Sequence, residues 1–555
     1  MATHNKTNDD AAAGSATSSS ASPPDPPEVM QLFKMATSKN EKYFIDQMGT
    51  AFVQYDSDIG STSSPVDSIE FKDYLRRLWR SSKDGIINSE KLKLVIAELS
   101  AEARAGESYL LTPRFAHSKD TDSIIYDFID GTGDVAVINI DGVNVVHRSS
   151  LLDNTPLLRT ESHQKPQDRP ERSSDPGLIK GLFKDFMNIP DHSEALLCGW
   201  IGVSFLPHLT QPAIYLTGEP ASGKTTQLRV LRRLIDPSIL ELLDPPRRLQ
   251  DAELQAAQHP VLMYDNLDDT IPKSLSDFWC RVITGGASAK RAHNENTAMV
   301  MMQFKAPMAF NGINLAAAKA DLLDRTILLH ALHIKREDAV EEEAEFYPAF
   351  DSQKPIFLGA IFNGLSKAMK IYPELKIKGS GRFGDFVKWG AAFCEATGYG
   401  ADRFIREYDS NRDRQIRAAI ESEVVAKIIF DWLTKRPNDF IFTGTTTALF
   451  NTLNDYILNE RSDLPKDRND MYMNKDYPRS PQALTKKLNY LTTMLEGAGI
   501  FIKKRSLSIG TEWQIHWISQ ENKIENQAPQ APLAPLNSEI GGSSGSSGGE
   551  NPKLL

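Results

Sequence analysis

The stretch GEPASGKT, Gly218 to Thr225, fits the spacing G-x-x-x-x-G-K-[ST] and lies between an apolar run, AIYL, and a helical pattern, TTQLRVLRRLI. Glycines allow main-chain N–H groups to curl around phosphate oxygens, and the start of the helix adds the positive end of its dipole. In such a loop Lys224 reaches the β and γ phosphates and the Thr225 hydroxyl ligates Mg²⁺. Gly218, Glu219, Pro220, Ala221, Ser222, Gly223, Lys224, Thr225 and Thr226 are therefore the expected cradle for ATP, with Mg²⁺ as its companion. The alternative is a glycine-rich turn that holds nothing.

A phosphate cradle needs a carboxylate for the metal, expected at the end of a buried strand beside the first. HPVLMYDNLD supplies one: Val261 to Tyr264 read as strand, and Asp265 follows as the second magnesium ligand after Thr225. The next position, where an acid would polarise the attacking water, is Asn266. Either Asp268 or Asp269 substitutes, or Asn266 orients water without taking its proton, or hydrolysis is slow. The strand PMAFN ends at Asn311, suited to hold the γ-phosphate or its water, or else to cap a turn. DLLDRTILLHA places Arg325 where it can reach the γ-phosphate of a neighbouring subunit, or pair with Asp321 or Asp324 of its own. Between these, Gly285-Gly286 opens a hairpin whose tip carries Lys290, Arg291 and His293, either a DNA contact or a solvated loop.

In this order the motifs AIYLTGEPASGKTT, VLMYDNLD, VITGGASAKR, FNGIN and DLLDRTI resemble the superfamily 3 helicase branch of AAA+ ATPases, and more closely the ATPase part of phage- and plasmid-type primase-helicases. The likeness covers residues 178–345 well, the region from 421 in part, and the first 177 residues weakly. It implies a ring, usually a hexamer, with ATP between subunits and a hairpin at the central channel that pulls a DNA strand. By position, Lys224 and Thr225 would hold phosphate and magnesium, Asp265 magnesium, and Asn311 would sense the γ-phosphate. Arg325 would act across the interface, and Lys290, Arg291 and His293 would touch DNA. Asn266 departs from the acidic pair of that family, which bears on the hydrolysis rate more than on nucleotide binding.

The elements that must position these residues give an α/β fold: an AAA+ P-loop NTPase core over 178–345, a helical lid over 346–420, a C-terminal winged-helix domain over 421–519 and a small N-terminal α+β region over 29–160. Residues 1–28 and 520–555 read as disordered tails, and the polar, proline-bearing run 161–177 reads as a linker. In the winged helix, Arg479, Lys486, Lys487, Lys503, Lys504 and Arg505 form a local basic excess, for duplex backbone or for a protein partner.

The chain has 555 residues, 40% hydrophobic and 25% charged, with no run of about 18 apolar residues, which excludes a membrane span and predicts a cytoplasmic protein. A net charge of −10 argues against coating nucleic acid non-specifically, so any DNA contact must be local. Cys198, Cys280 and Cys394 have neither disulfide nor zinc spacing and are expected to be buried thiols. No primase triad is visible, so priming would come from a partner. An ATP-driven DNA helicase or translocase for replication of a phage, plasmid or integrated element is the leading expectation. A nucleotide-gated switch that binds DNA or protein and hydrolyses ATP slowly is the alternative.

Overall fold

The computed structural model describes residues 27–517 except 39–40, 48, 58–59, 84, 110, 152–156, 268–270, 292–298, 313–319, 335–342, 378–380, 438–439, 461–476 and 508–509. The chain divides into two compact units, one up to Ser422 and the other from Glu423.

The first unit opens with α1 (Glu28–Thr37), β1 (Lys42–Asp46), β2 (Ala51–Ser57), β3 (Gly60–Pro65), α2 (Ile69–Ser82), α3 (Ser89–Ala105) and β4 (Ser108–Tyr109). On α3, Leu92, Val95, Ile96, Leu99 and Ala103 recur three and four apart and are buried, so one face must be covered. They pack with Phe71, Leu75 and Trp79 of α2 over the sheet β3-β2-β1-β4. Asn88 starts α3 by accepting the Glu90 N–H at 2.9 Å.

Next come β5 (Leu111–Pro113), β6 (Phe115–Ser118), β7 (Ser123–Asp127), β8 (Asp134–Asn139), β9 (Gly142–His147) and β10 (Leu157–Arg159). The strands β6 to β9 form an antiparallel meander, and β10 pairs with β5 in parallel. Residues 161–177, expected as a linker, are packed instead. Gln167 donates to Tyr126 Oη at 3.1 Å and to the Leu234 carbonyl at 2.9 Å. Asp168 pairs with Lys354 at 2.8 Å, and Arg169 donates to Asp130 at 2.7 Å. The segment is too polar to bury a core of its own, so it is held by hydrogen bonds to the elements on either side.

The central elements are α4 (Lys180–Phe186), α5 (Glu194–Ser204), β11 (Ala213–Thr217), α6 (Lys224–Ile235), α7 (Leu249–Gln258), β12 (Leu262–Tyr264), α8 (Lys273–Thr284), β13 (Ala287–Arg291), β14 (Met299–Gln303), β15 (Met308–Asn311), α9 (Ala320–Leu323) and β16 (Thr326–His330). Four strands make an all-parallel sheet in the order β12-β15-β11-β16. Near-continuous apolar runs suit strands covered on both faces, and β15 is buried at all four positions. The strand carrying Asp265 was expected beside β11, but β15 lies between them. The strands β13 and β14 pair as the expected antiparallel hairpin.

The unit closes with α10 (Glu343–Ile371), α11 (Gly384–Ala396) and α12 (Ala401–Ser422). These helices, expected as a lid, pack on the side of the sheet. Phe404 of α12 fits against Gly199 of α5 and Gly390 of α11, where a Cβ would approach its ring to 2.4 Å. Asn411 accepts the Leu328 N–H at 3.0 Å and donates to the Leu328 carbonyl at 2.6 Å, while Gln415 donates to the Thr326 carbonyl at 2.5 Å. The outer main chain of β16 is thereby satisfied by amide side chains from a helix. All three cysteines are buried and free, and no helix among the described residues is long and apolar enough to cross a membrane.

The second unit runs α13 (Val424–Thr434), β17 (Ile441–Thr445), α14 (Thr446–Glu460), α15 (Pro481–Gly497), β18 (Ile500–Leu507) and β19 (Gly510–Trp517). Three strands pair antiparallel in the order β17-β19-β18. The short β17 was not expected, because its residues read as the start of the following helix. The buried Trp513 donates to Thr446 Oγ1 at 2.8 Å, and Thr485 donates to the same oxygen at 3.2 Å, tying sheet to helices.

Candidate nucleotide-binding site

The glycine loop joins β11 to α6, and its backbone explains its sequence. At Gly218, φ is +154° and a Cβ would stand 2.8 Å from Ser222 Oγ and 2.9 Å from the Ala331 carbonyl oxygen, so only glycine fits. Gly223, at φ +75°, makes the left-handed step into α6. Lys224 Nζ donates to the carbonyls of Gly218 at 2.9 Å and Glu219 at 2.8 Å, which holds the ammonium over the loop. Asn188, which belongs to no motif in the sequence, donates to the Ser222 carbonyl at 3.2 Å and the Leu332 carbonyl at 2.7 Å. It clamps the loop from the segment after α4. His333 faces Glu219 of the loop at 3.0 Å.

The residues expected to carry the metal meet. Thr225 Oγ1 donates to Asp265 Oδ1 at 3.0 Å, and Asn311 Nδ2 donates to the same carboxylate oxygen at 2.7 Å. Asn311 is 1% exposed and its Oδ1 accepts the Asn266 N–H at 2.7 Å. It therefore bridges the carboxylate and the next peptide, a position it owes to β15 lying between β11 and β12. Asn266 has φ +56°, the left-handed region that asparagine tolerates better than most side chains. A backbone requirement thus accompanies the departure from an acid at this position. Asp268 and Asp269 lie outside the described residues.

This donor set suits magnesium bound through a nucleotide. One hydroxyl and one carboxylate 3.0 Å apart leave most of an octahedral shell to phosphate and water, as Mg²⁺ prefers. Among the described residues no group of three or more His, Cys, Asp or Glu side chains forms an all-protein metal cage. Thr225 and Asp265 would hold the ion, and Lys224 with the loop N–H groups the phosphates. Asn311→Ala would strand the Asn266 N–H and one side of Asp265. The expected result is a loss of about 1–3 kcal/mol, read as a lower urea midpoint with an unchanged slope.

Arg325 is held within its own chain: its guanidinium pairs with Asp321 and donates to the Asp321 carbonyl at 2.6 Å. Asp324 is occupied by Arg382 at 2.8 Å. Of the hairpin residues, His293 lies outside the described residues, while Lys290 and Arg291 are placed at the end of β13. In the second unit, Arg479 and Lys486 are exposed, and Lys503, Lys504 and Arg505 sit in an exposed row on β18. Lys487 pairs with Glu423 at 2.5 Å and Lys504 donates to Asn489 at 3.3 Å.

Behind the site, the far end of α6 is fixed by a buried ionic cluster that the sequence did not disclose. Asp236 pairs with Arg114 at 2.6 Å and with Arg232 at 3.0 Å, and all three side chains are at most 1% exposed. Gln164 donates to Asp236 at 3.0 Å, and Arg232 contacts His259 Nδ1 at 3.3 Å. Burial alone would push the Asp236 carboxyl up, but Arg232 and Arg114 outweigh it and hold it below the usual carboxylate range. Burial, then His163 and Arg232, push His259 down to about 3.

Together these features define a mixed α/β chain with a phosphate-loop motif at the carboxyl ends of a parallel sheet. Residues 182–413 match the model of the family described as actinomycete integrative conjugative element replication protein. Among solved structures, the chain is similar to the apo C-terminal region of NrS-1, at 10% identity and a TM-score of 0.36, over 89% of this chain and 100% of that one. A second form of that region gives 9% identity and a TM-score of 0.38, over 88% and 99%. The JCV helicase with a bound small molecule gives 11% identity and a TM-score of 0.20, over 38% and 64%. Among curated proteins no match is found.

Proposed function

We propose that this chain is an ATP-hydrolysing DNA translocase or helicase of the superfamily 3 type, acting in the replication of an integrated or conjugative element. The observation that carries this reading is the meeting of Thr225, Asp265 and Asn311 beside the glycine loop. The match of residues 182–413 to integrative conjugative element replication proteins supports the replication context. Bound ATP with Mg²⁺ supplies the phosphoryl group whose loss to water drives movement. The chain's own part is to neutralise the phosphates with Lys224, to ligate with Thr225 and Asp265, and to hold that carboxylate still with Asn311. The assembly is a homohexamer. DNA runs past the Lys290, Arg291 and His293 hairpin, and duplex docks on a winged helix formed by the second unit through α15 and β18.

In this reading Arg325 serves a neighbouring subunit, exchanging Asp321 for the γ-phosphate when subunits close. Arg325→Ala is expected to lower turnover by on the order of a thousandfold while ATP affinity stays within about twofold. Unchanged turnover would remove the trans-acting arginine. A second reading, a nucleotide-gated switch with slow hydrolysis, is favoured by one observation: the residue after Asp265 is an amide locked by its main chain to Asn311. DNA-stimulated ATP hydrolysis, with mass in solution measured with and without ATP and Mg²⁺, separates the two. A helicase shows stimulated turnover and nucleotide-dependent assembly, whereas a switch binds ATP and turns over little of it.

A further inference from the structure

At the foot of the β13–β14 hairpin lies a cavity of about 440 Å³, walled by β5 and β6, the turn after α5, the end of α7 and the segment that follows β14. It is separate from the glycine loop, none of whose residues lines it. Lys119, Arg159, Lys305, His117, His208 and His259 line it, and no aspartate or glutamate does. The nearest opposing carboxylates stand behind this lining: Asp122 bonds His117 at 3.1 Å and Glu161 pairs with Arg159 at 2.9 Å.

The basic groups are crowded. His117 and His208 stack with ring centres 3.8 Å apart, and Lys305 donates to the His208 carbonyl at 2.7 Å. An ammonium has three donors, so Lys305 retains donors for a ligand. Burial, then His117 and Lys305, push the His208 ring down to about 4 against a smaller upward pull from Asp122, and burial holds Lys305 below its usual value. Positive groups gathered without a facing carboxylate favour an anion.

The remaining lining reads a second kind of group. Phe304, Pro307 and Phe115 offer flat apolar surface. Thr112 Oγ1 and Gln211 Oε1 also line the cavity and have no hydrogen-bond partner; Gln211 is 6% exposed, its Nε2 being used on Ser204 Oγ at 2.9 Å. A buried amide oxygen and hydroxyl left unmatched cost stability unless something meets them. The volume falls in the range that encloses a small ligand.

We infer that this cavity binds one phosphate-bearing nucleotide, its phosphate on Lys305 and the neighbouring histidines and its base against Phe304 and Pro307 with Gln211 and Thr112 on its polar edge. The nucleotide comes either free or as one unit of a single strand. The site lies where β14 leaves the hairpin, so an occupied cavity stiffens the root of that hairpin.

The test uses the full chain carrying Lys224→Ala, so that glycine-loop binding and ATP turnover do not enter and failure here is distinct from failure of the ATPase reading. Calorimetric titration with thymidine 5′-monophosphate is expected to show binding, weakened about tenfold by Lys305→Gln through loss of a charge-assisted hydrogen bond. Thymidine and inorganic phosphate are each expected to bind at least about tenfold more weakly than the whole nucleotide. Lys119→Glu, at the exposed rim, changes charge without repacking and is expected to weaken binding severalfold if Lys305→Gln fails to fold. Competition by a short oligothymidylate in a Lys305-dependent manner assigns the nucleotide to a strand, and lack of it assigns a free nucleotide. No binding of either probe, binding indifferent to both substitutions, or inorganic phosphate binding as tightly as the nucleotide overturns the inference.

Discussion

Asp236→Ala is expected to cost about 3–5 kcal/mol, because it leaves two guanidiniums in the interior with no counter-charge. Arg114 and Arg232 approach Asp236 from opposite sides of the fold, and each is at most 1% exposed. Neither can swing to water without dragging its strand or helix along. A loss of that size is a large share of a domain's net stability, so the substitution should remove most folded protein at 37 °C or lower the urea midpoint steeply. Asp236→Asn keeps the shape and an acceptor for Arg114 and should fall between. A melting temperature within a degree or two of the parent would show that the cluster is not cohesive in the way its burial implies.

Acid should act through the same cluster. His259, held near 3, stays neutral in the native chain, while in the unfolded chain it protonates near the ordinary 6.5. The unfolded state thus takes up more protons below about pH 6.5, so its contribution to stability is present above that pH and lost as pH falls toward 3. Asp236, with its carboxyl held low, loses its contribution on acidification in the same direction. The melting temperature is therefore expected to drop on the acid side of pH 6.5, and less so in His259→Gln.

Lys224→Ala is the second large effect, on function instead of stability. Its ammonium spans two loop carbonyls at 2.9 and 2.8 Å, and both face the loop's open side, so the loop itself should keep its shape without them being bridged. Removing a positive donor from the phosphates should lower turnover by on the order of a hundredfold to a thousandfold. Triphosphate affinity should fall as well. A fluorescent ATP analogue read alongside phosphate release separates the two, and turnover at the parent rate would show that this loop does not cradle phosphate. The melting temperature should change little, in contrast to Asp236→Ala.

The glycine loop, Asp265 and Asn311 were legible because each is a local pattern: a turn that needs glycine, or an apolar run that ends in a polar residue. Their distances were not, since β15 reaches its place between β11 and β12 only through the order of a parallel sheet. Asn266 looked like a chemical departure, and its left-handed backbone shows a conformational reason as well. The strap over 161–177 was misread because composition measures what a segment buries alone, not what its Gln167, Asp168 and Arg169 side chains bind on neighbours. Arg114 and Asp236 are 122 positions apart, and no periodicity connects them. The short β17 was hidden by threonines that also suit a helix start.

The amide hooks that Asn411 and Gln415 set on β16 bear on how copies of this chain come together. A strand with open peptide groups along its rim invites a stranger to zip onto it. Here the rim at Thr326 and Leu328 is already spoken for, so neighbouring subunits must meet through side-chain surfaces, and runaway stacking of sheets has no foothold on that border.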